Sequence, residues 1–361
     1  MKICQLSTYG QQCGIAEYAD QLHKAFLDLG HDSRVLANIP YEALTFNEDA
    51  SRVRRVFHVE IRDKKTDFDF EKALGFLVDE MDILLVQYES CLYPRHQLHQ
   101  FLRLARERYP RMRIAVVFHS SCIWPDFQWN LINWGVAHEE NVLGCIPTLN
   151  KCIIRHGLPD WGDDVSPVEA RKKLGFLNTD RFTVGSCGFG RVRFEQTIPA
   201  VVGLGWNYLI SSQERERVRI DPIISALPEW QKQLVVPIYN YCPYDQLADR
   251  LQACEMVLLD YPSTTACVTS GAARLAIGAH RKLVVSATNW FSDVPAFVYK
   301  IAPDCPMERL REQLKLAVDE LSGDGAIISR RIASQQSYVK AYSWKNTCES
   351  AYIPLFQKLL S

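Results

Sequence analysis

Short apolar runs rich in β-branched residues recur along this chain, and longer stretches with apolar positions at helical spacing lie between most of them. Such alternation predicts parallel sheets with crossover helices, because a parallel strand is buried on both faces and needs a long return connection. In the first part the pattern predicts strands at Lys2–Leu6, Arg34–Ala37, Val53–Val59, Ile83–Gln87 and Ile114–Phe118, with a short one near Lys151–Ile154. Helices are predicted at Ile15–Leu29, Phe70–Glu80 and Arg95–Arg108. The theme then restarts, with strands near Phe182–Cys187, Tyr208–Ile210, Leu234–Ile238, Met256–Leu259 and Leu283–Ser286. A final amphipathic helix is predicted from Ser343-Trp344-Lys345 to Leu359-Leu360.

Punctuation marks the break between the halves. Residues 155–165, Arg-His-Gly-Leu-Pro-Asp-Trp-Gly-Asp-Asp-Val, carry two glycines, a proline and three aspartates, which is linker chemistry. Ser166-Pro167-Val168-Glu169 follows as a capping box with proline at the first helical position, opening a helix that should stop at Gly175. The expected fold class is therefore α/β, with one Rossmann-like, doubly wound domain over 1–155 and a second over 166–343. Two such domains leave a cleft faced by the carboxyl ends of strands, where ligands bind.

A chain of 361 residues is too long for one ordinary core, which agrees with two domains. Charged residues make up 23% and the formal net charge is −1, so no global field recruits nucleic acid or an anionic membrane. The twelve cysteines contain no C-x-x-C pair, which removes support for zinc ribbons and thioredoxin-like motifs. Met1-Lys2-Ile3-Cys4-Gln5 opens no long apolar segment, and no stretch approaches transmembrane length. Unpatterned thiols without such a segment point to a reducing cytoplasm, and no stable membrane insertion is expected.

Three strand-to-helix turns carry candidate chemistry. Ser7-Thr8-Tyr9-Gly10-Gln11-Gln12-Cys13-Gly14 follows the first strand, and Gly14 at the helix start would let backbone N–H groups approach a phosphate. The pattern is not G-x-G-x-x-G, which disfavours a dehydrogenase-type dinucleotide site. Gly185-Ser186-Cys187-Gly188-Phe189-Gly190-Arg191-Val192-Arg193 follows the first strand of the second half, with two arginines suited to a diphosphate. Ser270-Gly271-Ala272 reads as a helix N-terminus whose small residues expose N–H groups to a ligand. An ordinary turn, solvated arginines and a cap without a ligand are the respective alternatives.

Cys13-Gly14-Ile15-Ala16-Glu17-Tyr18, Gln87-Tyr88-Glu89, Val117-Phe118-His119, His156-Gly157-Leu158-Pro159-Asp160, Gly188-Phe189-Gly190-Arg191 and Ser270-Gly271-Ala272 occur in this order. Together they resemble glycosyltransferase family 4, retaining enzymes of GT-B fold, over nearly the whole chain. The resemblance implies that Gly14 lets the first loop approach the donor phosphate and that His119 contacts the transferred sugar. It implies that Arg191 and Arg193 bind the diphosphate, Arg193 standing where the family has lysine. Tyr241-Cys242-Pro243 would lie near the base, and the helix begun by Ser270, Gly271 and Ala272 would face phosphates and sugar. The segment 344–361 resembles the family's last helix, which crosses back onto the first domain. The first domain would then serve the acceptor and the second the nucleotide sugar. That donor is a co-substrate, and no further cofactor or metal is implied. The acceptor stays open between saccharide, lipid-linked sugar and modified nucleic acid.

One departure stands out. The family carries two glutamates eight positions apart, and alignment on Ser270-Gly271-Ala272 places them at Cys267 and Leu275. A carboxylate accepting two ribose hydroxyls contributes on the order of 3–6 kcal/mol. Another group holds the ribose, or the donor differs, or donor binding is weak. A non-catalytic partner of the same fold is the rival reading, favoured by Cys267 and Leu275 and opposed by Gly14, His119, Arg191 and Arg193. An epimerase or phosphorylase on the same architecture is a third. Asp67-Phe68-Asp69 has the D-x-D form of a metal–diphosphate site, but its place before a helical pattern suits an N-cap. The arginines at 103, 106, 108, 111 and 113 read as a solvated face, with an acidic acceptor or headgroup as the alternative.

Overall fold

A computed structural model describes the chain except residues 41–48, 60–66, 78–80, 163–164, 177, 189–190, 243 and 323–324, and the side chains of 245, 321 and 322. The end of the helix expected to reach Glu80, Asp163-Asp164 of the linker, Phe189-Gly190 of the second turn, and Pro243 lie outside the described residues. The rest divides into two compact units: Met1–Gly157 with Ala266–Thr269 and Trp344–Ser361, and Leu158–Thr265 with Ser270–Ser343.

The first unit holds a seven-stranded parallel sheet. Its strands are β1 (Lys2–Ser7), β2 (Asp32–Asn38), β3 (Val53–Phe57), β4 (Ile83–Tyr88), β5 (Arg113–Phe118), β6 (Trp134–Ala137) and β7 (Lys151–Ile153). They lie in the order β3-β2-β1-β4-β5-β6-β7. Side chains alternate between two faces of a strand, and both faces here are apolar. Cys4, Leu6, Leu84, Val86, Ile114 and Val116 enter one core with Phe101 and Leu102 of the helix Arg95–Arg108. Ile3, Ile83, Leu85, Ala115 and Val117 enter the other with Phe26 of the helix Gly14–Asp28 and with Tyr352 and Phe356 near the C-terminus. The continuous apolar runs seen in the sequence are the signature of this double burial.

The second unit repeats the plan with β8 (Thr183–Cys187), β9 (Asn207–Ser211), β10 (Val235–Ile238), β11 (Met256–Leu259), β12 (Lys282–Ser286) and β13 (Tyr299–Ile301). Their order is β10-β9-β8-β11-β12-β13, all parallel. Each sheet therefore has one switch point, β1/β4 in the first and β8/β11 in the second. There the connections run to opposite faces and the loops at the strand ends part.

Several details differ from the sequence expectations. β6 and β13 were not anticipated, since four residues around Gly135 and the half-buried edge segment Tyr299–Ile301 give too little apolar alternation. β3 ends at Phe57, not Val59. Ser166 is the residue before the helix Pro167–Lys173, but its side chain makes no capping hydrogen bond, so the capping box is not formed. Gly175 does end that helix, with φ +76°. The last helix is not regular. Trp344–Thr347 and Ile353–Leu360 are joined by a π-helical turn over Cys348–Tyr352. Pro354 explains it, because a proline lacks the N–H and its ring clashes with the carbonyl one turn back, which a wider turn relieves.

Candidate active site

In the second unit, the loops after β8, β11 and β12 meet at the switch point. Gly188 follows β8 with φ +118°, a conformation open to glycine and strained for other residues. A Cβ there would stand 3.0 Å from the Tyr261 hydroxyl and 3.3 Å from Ala272 Cβ. Gly188 therefore lies directly against the start of the helix Gly271–Gly278. Residues eighty-four positions apart in sequence thus meet.

That helix is capped by Ser270, whose Oγ accepts from the Ala273 N–H at 3.3 Å. The other first-turn N–H groups lack intrahelical acceptors and lend the helix start positive potential. Arg191 is exposed, and its guanidinium stacks 5.2 Å from the Trp290 ring centroid. Trp290 in turn meets Tyr261 edge-on at 5.8 Å. The Arg191 cation is thereby held on an aromatic support that Tyr261 connects to Gly188.

Arg193 is placed otherwise than the diphosphate role implies. Its Nη2 donates to Asp260 Oδ2 at 2.7 Å, and its backbone N–H donates to the Asp260 carbonyl at 3.0 Å. Asp260 is fully buried at the end of β11, and burial pushes its carboxyl up to about 6 despite the arginine. Arg193 therefore offers much less net charge to a ligand than Arg191. Tyr241 lies half-buried after β10 on the same carboxyl edge of the sheet, beyond Asn240, whose carbonyl and side chain both accept from Arg250. In the order β10-β9-β8, the strand before it lies two strand spacings, about 10 Å, from β8.

In the first unit, the switch point gathers the ends of β1, β4 and β5. Gly14 is exposed at the start of its helix, and Cys13 before it makes no side-chain cap, so the first-turn N–H groups are not satisfied by a cap. The loop is held rigid from outside: Asn38 accepts from the Tyr9 N–H and donates to Gln11, while Arg55 donates to the Tyr9 carbonyl. His119 is 9% exposed just beyond β5, and its Nε2 pairs with Gln87 Oε1 at 3.0 Å. Gln87 donates onward to Gln5, and Gln5 to the Ala19 carbonyl, a buried polar chain running back to the first helix. Burial, reinforced by His138, holds His119 well below the usual imidazole range, so the ring is neutral and acts as a hydrogen-bonding group. Glu89 at the end of β4 accepts from Ser90 and Ser120, and burial raises its carboxyl.

The departures and distractors also find their places. Leu275 packs against the core of the second unit, and Cys267 belongs to the first, where its backbone exchanges hydrogen bonds with Ser121. Neither position offers a carboxylate. Asp69 Oδ1 accepts from the Lys72 N–H at 3.0 Å, the N-cap role expected of it. No cluster that could hold a metal occurs among the described residues. Arg103, Arg106 and Arg113 donate to Gln128, Leu131 and Leu359, so that face is partly committed to the protein itself. Asp260, Tyr261 and Trp290 were missed by sequence reasoning. Asp260 had a signal, a carboxylate directly after the fully apolar Met-Val-Leu-Leu strand, whereas Trp290 had none.

No protein-family model matches the sequence, and no curated protein does. Solved structures do match in fold. A glycosyltransferase from Rickettsia africae ESF-5 has TM-score 0.73 at 10% identity, covering 100% of this chain and 98% of that one. Sucrose-phosphate synthase from Thermosynechococcus elongatus has TM-score 0.70 at 14% identity, covering 99% of both. Anabaena HepE, solved with UDP, has TM-score 0.69 at 13% identity, covering 99% and 100%. Two parallel-sheet α/β units in this arrangement of strands give the chain the GT-B fold of glycosyltransferases.

Proposed function

We propose that the chain is a metal-independent, retaining glycosyltransferase similar to family 4, taking a sugar from a nucleotide-diphosphate donor. The observation that carries this reading is the meeting of the Gly188 turn with the Ser270-capped helix, with Arg191 held alongside. A doubly wound sheet binds phosphate at its switch point, where N–H groups and arginine face developing negative charge. A solved structure of the same fold contains UDP.

In this scheme the second domain, 166–343, takes the donor. Gly271, Ala272 and Arg191 stabilise the departing diphosphate, Arg193 supports them, and Tyr241 lies toward the base. The first domain, 1–155 with 344–361, takes the acceptor. Gly14 approaches the donor phosphate and neutral His119 hydrogen-bonds the transferred sugar. The acceptor attacks on the face the diphosphate leaves, so no protein nucleophile is required. A saccharide, a lipid-linked sugar and a modified nucleic acid all suit such chemistry, and a cytoplasmic setting fits the free thiols.

The second reading is a non-catalytic relative. The pairing of Arg193 with Asp260 and the apolar packing of Leu275 favour it. A donor-hydrolysis assay over a panel of nucleotide sugars, with and without candidate acceptors, separates the two. Turnover that survives a chelator supports the proposal. Binding without turnover under every acceptor supports the relative, and turnover restored only by manganese would move attention to Asp67 and Asp69.

A further inference from the structure

The Arg193–Asp260 pair is under-bonded for its burial. Asp260 is fully buried and the Arg193 side chain is 13% exposed, yet Arg193 Nε and Asp260 Oδ1 are both buried without a hydrogen-bond partner among the described residues. A buried ion pair is weak evidence for stability, since apolar side chains of similar volume often serve as well. Unsatisfied groups within such a pair need a separate explanation. The pair's location supplies one, because it ties the segment after β8 to the end of β11 at the switch point, two residues from Arg191.

We infer that Asp260 is a positioning residue that competes with the donor diphosphate for Arg193 and takes up one proton when the diphosphate binds. This rests on the diphosphate site proposed above. When the anion draws on Arg193, the Asp260 carboxylate loses part of its counter-charge and gains a negative neighbour. A proton from solvent then forms the Asp260 O–H, and no other covalent bond changes. The surrounding groups favour that direction. Burial raises the carboxyl first, Asp304 beyond β13 and Glu195 on the helix Phe194–Gly203 add negative charge, and only Arg193 opposes them. Cys305 faces the same guanidinium, and the Tyr208 phenol of β9, raised by burial, stays protonated nearby. By linkage, a site that gains a proton on binding binds more tightly as pH falls.

The test is titration calorimetry of the full chain with UDP-glucose and ADP-glucose, whose diphosphate diesters do not themselves titrate near neutrality. Buffers of different ionisation enthalpy report the protons exchanged. The expected result is uptake approaching one proton and affinity that tightens severalfold from about pH 8 to about pH 7, with tenfold per pH unit as the ceiling for one proton. Asp260→Asn should bind with no uptake and a flat pH dependence. Wild-type binding without proton uptake would overturn the inference and leave the diphosphate site standing, and this arm needs no variant. Uptake that persists in Asp260→Asn would also overturn it. Should neither sugar nucleotide nor any free nucleoside diphosphate bind, the diphosphate site itself fails and the inference falls with it.

Discussion

Gly188 and Ala272 are near enough that a methyl group on the glycine would lie 3.3 Å from the alanine's own. That approach joins the β8 turn to the N-terminus of the helix Gly271–Gly278, and the candidate phosphate site depends on it. Gly188→Val should therefore push the two apart and force a strained φ, at about 1–3 kcal/mol each for backbone strain and overpacking. Urea unfolding should show the loss of stability. Nucleoside-diphosphate affinity, measured below the unfolding range, should fall at least tenfold.

Arg191 and Arg193 should separate when each is changed to alanine. Arg191 is exposed on Trp290, so Arg191→Ala should leave the urea midpoint in place and weaken diphosphate binding by roughly ten- to a hundredfold, the worth of a charge-assisted hydrogen bond. Arg193→Ala leaves Asp260 buried and unpaired, which should cost about 3–5 kcal/mol of stability. Arg103→Ala is the control on both counts. An unfolding curve and a binding isotherm for each variant decide the matter.

Both sheets were legible because parallel strands are apolar on both faces, and Ile83–Tyr88 is the clearest case, buried at every residue. Short strands were not, since Trp134–Ala137 and Tyr299–Ile301 owe their state to pairing with neighbours, a nonlocal effect. The turns after β1 and β8 and the helix start at Ser270 could be located from local sequence alone. That Arg193 would be occupied by Asp260 could not, because sixty-seven residues separate them and only the strand order brings them together. His119 could be located at a strand end, but its neutral state follows from burial beside Tyr18 and His138, which the sequence does not show.

Gly157 is expected to be intolerant of any side chain. A Cβ there would stand 2.7 Å from Trp344 Cδ2, inside the aromatic cluster that Trp344 forms with Tyr18 and His156. Gly157→Ala should lower stability by about 1–3 kcal/mol through overpacking. Trp344→Leu in the same background should recover part of it, and a double-mutant cycle in urea measures the coupling.

Acidification should weaken the first unit through His23. Burial lowers its imidazole to about 4, and Ser33 holds its Nδ1 at 2.7 Å. The unfolded chain binds a proton that the folded one refuses, so stability is full above about pH 6.5 and declines as pH falls toward 4, by at most about 3 kcal/mol. His23→Gln should flatten that part of the pH profile of the urea midpoint, whereas an unchanged slope would assign the titration elsewhere.

On the proposed reading, the Gly188 turn, the Ser270-capped helix and Arg191 form a diphosphate pocket. Its most direct measurement is calorimetric titration of UDP, ADP and GDP into the wild-type chain and into Arg191→Ala, with the matching nucleosides as controls. At least one diphosphate should bind one-to-one, its nucleoside should bind far more weakly, and Arg191→Ala should cost ten- to a hundredfold, about 1.5–3 kcal/mol. Absence of binding by every diphosphate, or binding that Arg191→Ala leaves unchanged, would contradict it.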